Sequence, residues 1–200
     1  MKIKLIEANE IPDNLKINPK ATDTEIKVAW IGVKYSYKRI KNDGNLSCAF
    51  AVDISSRGLK HIPFYFEDCS NQFNCSNNEL VSLEGCPTNT DKFYCYGNNL
   101  TSLEGGPSIV SNEYFCSNNK LTSLNGCAKS CRQFLCYNNK LSTLVGGPSY
   151  VSWEYDCRFN KLYSLKGCPE QVDGFFTVSD NLVNFTEKYI RKNCKGGYSI

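Results

Sequence analysis

Residues 93–107 read FYCYGNNLTSLEGGP and residues 134–148 read FLCYNNKLSTLVGGP, a near-copy separated by two turns of the same sentence. The sentence is centred on Cys75, Cys95, Cys116, Cys136 and Cys157, which follow one another at intervals of 20, 21, 20 and 21 residues. Taking that cysteine as position zero, an aromatic stands at −2 (Phe73, Phe93, Tyr114, Phe134, Tyr155) and asparagine at +3 (Asn78, Asn98, Asn119, Asn139, Asn160). Leucine follows at +5 (Leu80, Leu100, Leu121, Leu141, Leu162) and at +8 (Leu83, Leu103, Leu124, Leu144, Leu165). Glycine closes the pattern at +10, usually with proline two residues on. The frame extends outward to Ile54, with Val52, Leu59 and Ile62, and to Val178, with Phe176 and Asn181. Seven units result. Arg57 replaces the asparagine in the first and a residue is lost from NLVNF in the last, as expected of capping units. Self-similarity at such a period is the mark of a solenoid. Units with GCP or GCA (Cys86, Cys127, Cys168) alternate with GGP units (Gly106, Gly147), which points to a 41-residue duplicated pair.

The order aromatic-x-Cys-x-x-Asn-x-Leu-x-x-Leu resembles the leucine-rich repeat, with cysteine in place of the central leucine. It is most similar to the short 20 to 21-residue variety of bacterial effectors and phage proteins. The resemblance covers residues 50 to 190 and implies a mainly β solenoid with one parallel strand per repeat. It specifies a fold and not a target.

Alternation along a strand turns −2 and zero inward and −3, −1 and +1 outward. Asparagine suits the turn leaving the strand, where its amide can bond backbone groups. Gly at +10 and Pro at +12 favour an extended return segment on the convex side, since 20 residues leave no room for a helix. The twelve cysteines then read as a small apolar row in the core. Neighbouring rungs lie within disulfide reach, so geometry alone leaves bridging open. Cys127, Cys131 and Cys136 are the nearest approach to a zinc set and have no histidine beside them, so no metal is expected.

Ahead of the repeats, Ile26, Val28, Trp30 and then Ile31, Val33, Tyr35, Tyr37 form two alternating runs with a slip near Gly32, as in a bulged strand. KNDGN at 41–45 signals a hairpin turn, and Cys48, Phe50, Val52 and Ile54 carry the inward alternation onward. The expected organisation is a β-rich cap over 1–49, the solenoid over 50–184, and a terminal cap or tail over 185–200. In that tail FTEKYIRKNC (185–194) reads as a short helix or irregular closure with Thr186 as a possible N-cap.

Composition is that of a globular protein, 41% hydrophobic and 22% charged. The net charge of +3 is small and dispersed, which argues against nucleic acid as a partner. MKIKLIEANEIPDN at 1–14 has no continuous apolar stretch, so the expectation is a protein neither secreted nor membrane-bound, in the cytoplasm, or the host cytoplasm if viral. No phosphate loop, nucleophile elbow or zinc signature appears, and His61, the lone histidine, has no catalytic company; no enzyme, cofactor or catalytic residue is expected.

The outward positions carry the functional expectation. Tyr94, Phe115 and Leu135 are consecutive at −1, flanked by Tyr96 and Tyr137 at +1, with Trp153, Glu154, Asp156 and Arg158 extending the surface toward the carboxyl end. An apolar patch with a polar rim marks a protein interface, and Tyr and Arg are favoured anchors. The leading expectation is a protein-binding module working from its concave sheet face, in specific form a phage-encoded inhibitor of a host enzyme or defence protein. Two other readings stay open: nucleotide-like ligand capture by Tyr94, Tyr96 and Tyr137, and a structural virion or cell-surface component. The less favoured reading is that these side chains stack on one another to stabilise the sheet or are covered by a terminal segment.

Overall fold

The computed structural model describes residues 11–194; the opening ten residues and the tail beyond Cys194, on which parts of the cap expectations fall, lie outside the described residues. In chain order the elements are α1 (Asp23–Val33), β1 (Tyr37–Ile40), β2 (Leu46–Cys48), β3 (Val52–Asp53), β4 (Phe66–Asn74), β5 (Asn89–Tyr94), β6 (Ile109–Phe115), β7 (Ser130–Leu135), β8 (Tyr150–Asp156), β9 (Gln171–Val172), β10 (Phe175–Thr177) and α2 (Glu187–Asn193). One sheet runs β1-β2-β4-β5-β6-β7-β8-β10, with β3 on β4 and β9 on β8. Every pairing in it is parallel except the β1/β2 hairpin. The chain is a parallel β-solenoid of about six turns.

Register confirms the repeat frame. Val52, Phe73, Phe93, Tyr114, Phe134, Tyr155 and Phe176 pair in sequence across the sheet, all at position −2. Those seven rungs bound the six turns. Their rings form a continuous buried stack, with centroid spacings between 5.1 and 6.2 Å from Phe73 to Phe176. The cysteines at zero and the leucines at +5 and +8 are buried beneath it. None of the twelve cysteines is joined in a disulfide. Return segments run without helix, and the N–H at +4 bonds the +5 carbonyl of the coil before, as Lys120 does to Leu100 at 2.9 Å.

Each +3 asparagine ties two coils. Asn119 Nδ2 donates to the carbonyls of Cys95 and Cys116 at 3.0 and 3.2 Å, while its Oδ1 accepts from Leu100 N at 3.1 Å. The bonds recur at Asn78, Asn98, Asn139, Asn160 and Asn181. Buried amides would otherwise carry an unmet polar cost at each turn.

The alternation of coils has a steric cause. A Cβ on Gly106 would lie 3.0 Å from Leu103 O and Leu83 Cδ1 and 3.2 Å from the Tyr114 hydroxyl, and one on Gly147 would lie 2.9 Å from Leu124 Cδ1 and 3.1 Å from the Tyr155 hydroxyl. Where the following coil carries Phe93, Phe134 or Phe176, the same position holds Cys86, Cys127 or Cys168. Glycine makes room for a phenol oxygen, and cysteine fills the space when that oxygen is missing. The 20 and 21-residue intervals are explained by a bulge before position −3: β5 and β7 place one residue there, Asp91 and Arg132, while β4, β6 and β8 place two, Ser70–Asn71, Ser111–Asn112 and Ser152–Trp153.

The amino-terminal cap differs from the sequence expectation in one element. Residues 26–33, expected as a bulged strand, are helix α1, whose Ala29, Trp30 and Val33 are buried against the first coil. Thr22 and Glu25 close a capping box: Thr22 Oγ1 accepts from Glu25 N at 3.2 Å and Glu25 Oε2 accepts from Thr22 N at 2.9 Å. The hairpin expected at 41–45 is present, with Lys41 N bonded to Asn45 O and Gly44 in the left-handed region. Phe50, expected inward, points to solvent because the chain breaks pairing between β2 and β3. At the other end Thr186 caps α2 as expected, accepting from Tyr189 N at 3.3 Å, and Ile190 and Cys194 close the core.

Candidate functional site

Three rows face outward on the sheet. The −3 row is Gln72, Lys92, Glu113, Gln133, Glu154, Phe175; the −1 row is Asn74, Tyr94, Phe115, Leu135, Asp156, Thr177. The third row, at +1, contains Ser76, Tyr96, Ser117, Tyr137 and Arg158. At a strand spacing of about 4.8 Å the strip is about 30 Å long.

The predicted residues fall on this face, and the structure separates them. Tyr94 and Phe115 stack at 5.0 Å and 24°, and the Tyr94 hydroxyl donates to Glu113, which also pairs with Lys92 at 3.0 Å. Burial together with that carboxylate pushes the Tyr94 phenol well above its ordinary range. Leu135 continues the row; all three are half-buried. The centre of the strip is thus partly satisfied by itself. Tyr96 and Tyr137 stand two rungs apart, about 10 Å by strand spacing, with Ser117 between them. Glu154 accepts from Gln133 at 2.5 Å. Asp156 is only 2% exposed, and both its oxygens hold Arg158, at 3.0 Å from Nε and 2.7 Å from Nη2. It orients the guanidinium and is itself shielded from solvent. Those bonds raise the Arg158 pKa further.

The exposed end of the strip was only partly legible. Trp153 is 46% exposed and meets Phe175, 45% exposed, edge to face at 5.7 Å, with the Arg132 guanidinium 5.5 Å over the indole. Phe159, 52% exposed, adopts φ 53° at +2. That left-handed position is held elsewhere by Ser56, Asn77, Gly97, Asn118, Asn138 and Asp180. Sequence reasoning named Trp153 and missed Phe159 and Phe175. The signal existed in the repeat itself: Phe175 is the single aromatic member of the −3 row, Phe159 the single bulky member of the +2 row, and Trp153 stands where the other 41-residue units carry Asn71 and Asn112. A cleft of about 310 Å³ is lined by Arg158, Thr177, Val178, Ser179 and, from the terminal cap, Asn184, Phe185 and Ile190.

Among the described residues no group of three or more His, Cys, Asp or Glu side chains is placed to hold a metal ion. Among the same residues no helix is long and apolar enough to cross a membrane. Fold and face together define a repeat protein of the parallel β-solenoid class, with an aromatic-rich outer sheet surface toward its carboxyl end. Comparison with protein-family models, curated proteins and solved structures gave no match to this chain.

Proposed function

We propose that the protein is a non-catalytic binding module of the short leucine-rich-repeat type that holds a partner protein on the outer face of its sheet. The observation that carries this reading is the set of aromatic outliers, Trp153, Phe159 and Phe175, each exposed at a row position that other coils fill with small or polar residues. The other coils act as an internal control: the fold is made there without these side chains. Phe159 adds a second argument, because a bulky residue in the left-handed region costs about 1–2 kcal/mol where glycine costs nothing. Strain kept at an exposed position points to use. Large aromatics beside Arg132 and Arg158 are the composition of an interface anchor, and the half-buried Tyr94, Phe115 and Leu135 supply the flatter surround. Inhibition of a host enzyme by occlusion is the specific form this reading takes.

The test is capture from lysate of the native host or source cell, by the immobilised protein, of a partner identified by mass spectrometry and then purified. Trp153→Ala with Phe175→Ala should weaken that purified complex at least 100-fold while leaving the far-ultraviolet spectrum unchanged. Phe159→Asn should bind more weakly and melt at a higher temperature. A complex indifferent to all three changes would remove this face from consideration.

A further inference from the structure

The twelve thiols differ in access. Eleven are buried, and Cys168 alone keeps partial exposure. Its counterparts Cys86 and Cys127 sit at the same corner, after the +10 glycine, and are buried under the coil that follows. No full coil follows Cys168. Helix α2 comes back instead and lays Ile190 and Cys194 on the end of the core, with the Cys194 thiol hydrogen-bonded to that of Cys168. The contact therefore joins two separate elements, the corner of the last complete coil and the end of the terminal helix.

We propose that Cys168 and Cys194 form a thiol–disulfide exchange site that reacts with low-molecular-weight disulfides and closes to a bridge locking α2 onto the solenoid. The Cys168 sulfur, as thiolate, attacks one sulfur of the small disulfide; that S–S bond breaks, its other half leaves as a thiolate, and a mixed disulfide remains on Cys168. Cys194 then loses its proton to the released thiolate, and its sulfur displaces the second small thiol from Cys168. Two protein thiols are oxidised to one disulfide while one small disulfide is reduced to two thiols. The order of attack follows the structure: Cys168 is the reachable sulfur, and the hydrogen bond from Cys194 lowers its pKa below the ordinary thiol value against the opposing effect of burial, while raising that of Cys194. Other neighbouring thiols, Cys75 with Cys86 and Cys48 with Cys69, have both members buried and serve as internal controls.

The experiment treats the full-length reduced protein with glutathione disulfide at neutral pH and follows intact mass, cysteine-to-cysteine peptide links and thermal melting. The expected product has lost two hydrogen atoms, links Cys168 to Cys194, and melts several degrees higher than the reduced form, a gain that dithiothreitol reverses. Cys194→Ser should stop at the mixed disulfide, accumulating one glutathione on Cys168. Cys168→Ser should leave Cys194 unmodified under the same conditions. Bridges elsewhere, an unreactive wild-type protein, or a Cys194→Ser variant that gathers no adduct would each overturn the site; an unchanged melting temperature on closure would overturn the locking.

Discussion

At the scale of single residues, the side chains that repeat build the solenoid and those that break the repeat mark its surface. The match between a glycine and the next coil's tyrosine hydroxyl is a clean case of the first. Gly106→Cys forces a thiol against the Tyr114 oxygen, and overpacking of this kind costs about 1–3 kcal/mol. Adding Tyr114→Phe removes one of the opposing atoms and should restore part of that loss. A chemical-denaturation cycle on the two single variants and the double variant measures the coupling, and strict additivity would show that the two sites do not meet. The sequence displayed this pairing openly, as alternation of GC and GG with Phe and Tyr, yet its cause needed coordinates: the two residues belong to different coils and touch only when stacked. Phe159 was hidden for a similar reason, since the left-handed conformation at +2 is a backbone property that Asn77 or Gly97 suggests and Phe159 contradicts.

At the scale of elements, strands and ladder were legible and helix α1 was not. Residues Ile26, Val28 and Trp30 alternate, and such an alternation favoured a strand; Thr22-x-x-Glu25 followed by Ile26, Ala29, Trp30 and Val33 at helical spacing was the stronger signal. A capping box binds specific backbone donors, whereas two or three alternations arise readily in any apolar run. Glu25 also reaches beyond its helix, its Oε1 accepting from the backbone of Lys60 at 2.7 Å and His61 at 3.0 Å. Burial by itself would raise the Glu25 pKa. The N–H groups of Thr22, Lys60 and His61 and the Thr22 hydroxyl outweigh it and lower it from 4.5 to about 2. A depressed carboxylate stabilises the fold above its unfolded value and loses that contribution as protons are taken up. The attachment of α1 should therefore hold above pH 4.5 and weaken progressively down to about pH 2, by up to about 3 kcal/mol. Hydrogen exchange of the α1 amides across that interval checks it; Glu25→Gln should flatten the profile, and a profile equally steep in that variant would assign the effect to another group.

For the whole molecule, each coil touches only its neighbours, so length is adjustable in whole units. Removing residues 95–115 takes out Gly106 together with Tyr114, and every remaining contact keeps a matched pair. Removing residues 87–106 instead places Cys86 before Tyr114, a mismatch. Both deletions shorten the strip by one rung. The first should fold with a single cooperative transition, whereas the second should melt about 5 °C lower or more, and equal melting temperatures would discard the matching rule.

The doubled bulge at Ser70–Asn71, Ser111–Asn112 and Ser152–Trp153 carries a consequence for descent. In each pair the second residue belongs to neither the ring stack nor the asparagine ladder, so it can change identity without disturbing the coils on either side. Duplication copies the scaffold faithfully, and these slots supply vacant addresses on each copy where selection can write a new target. Trp153 shows how far such a slot can depart from its copies, Asn71 and Asn112.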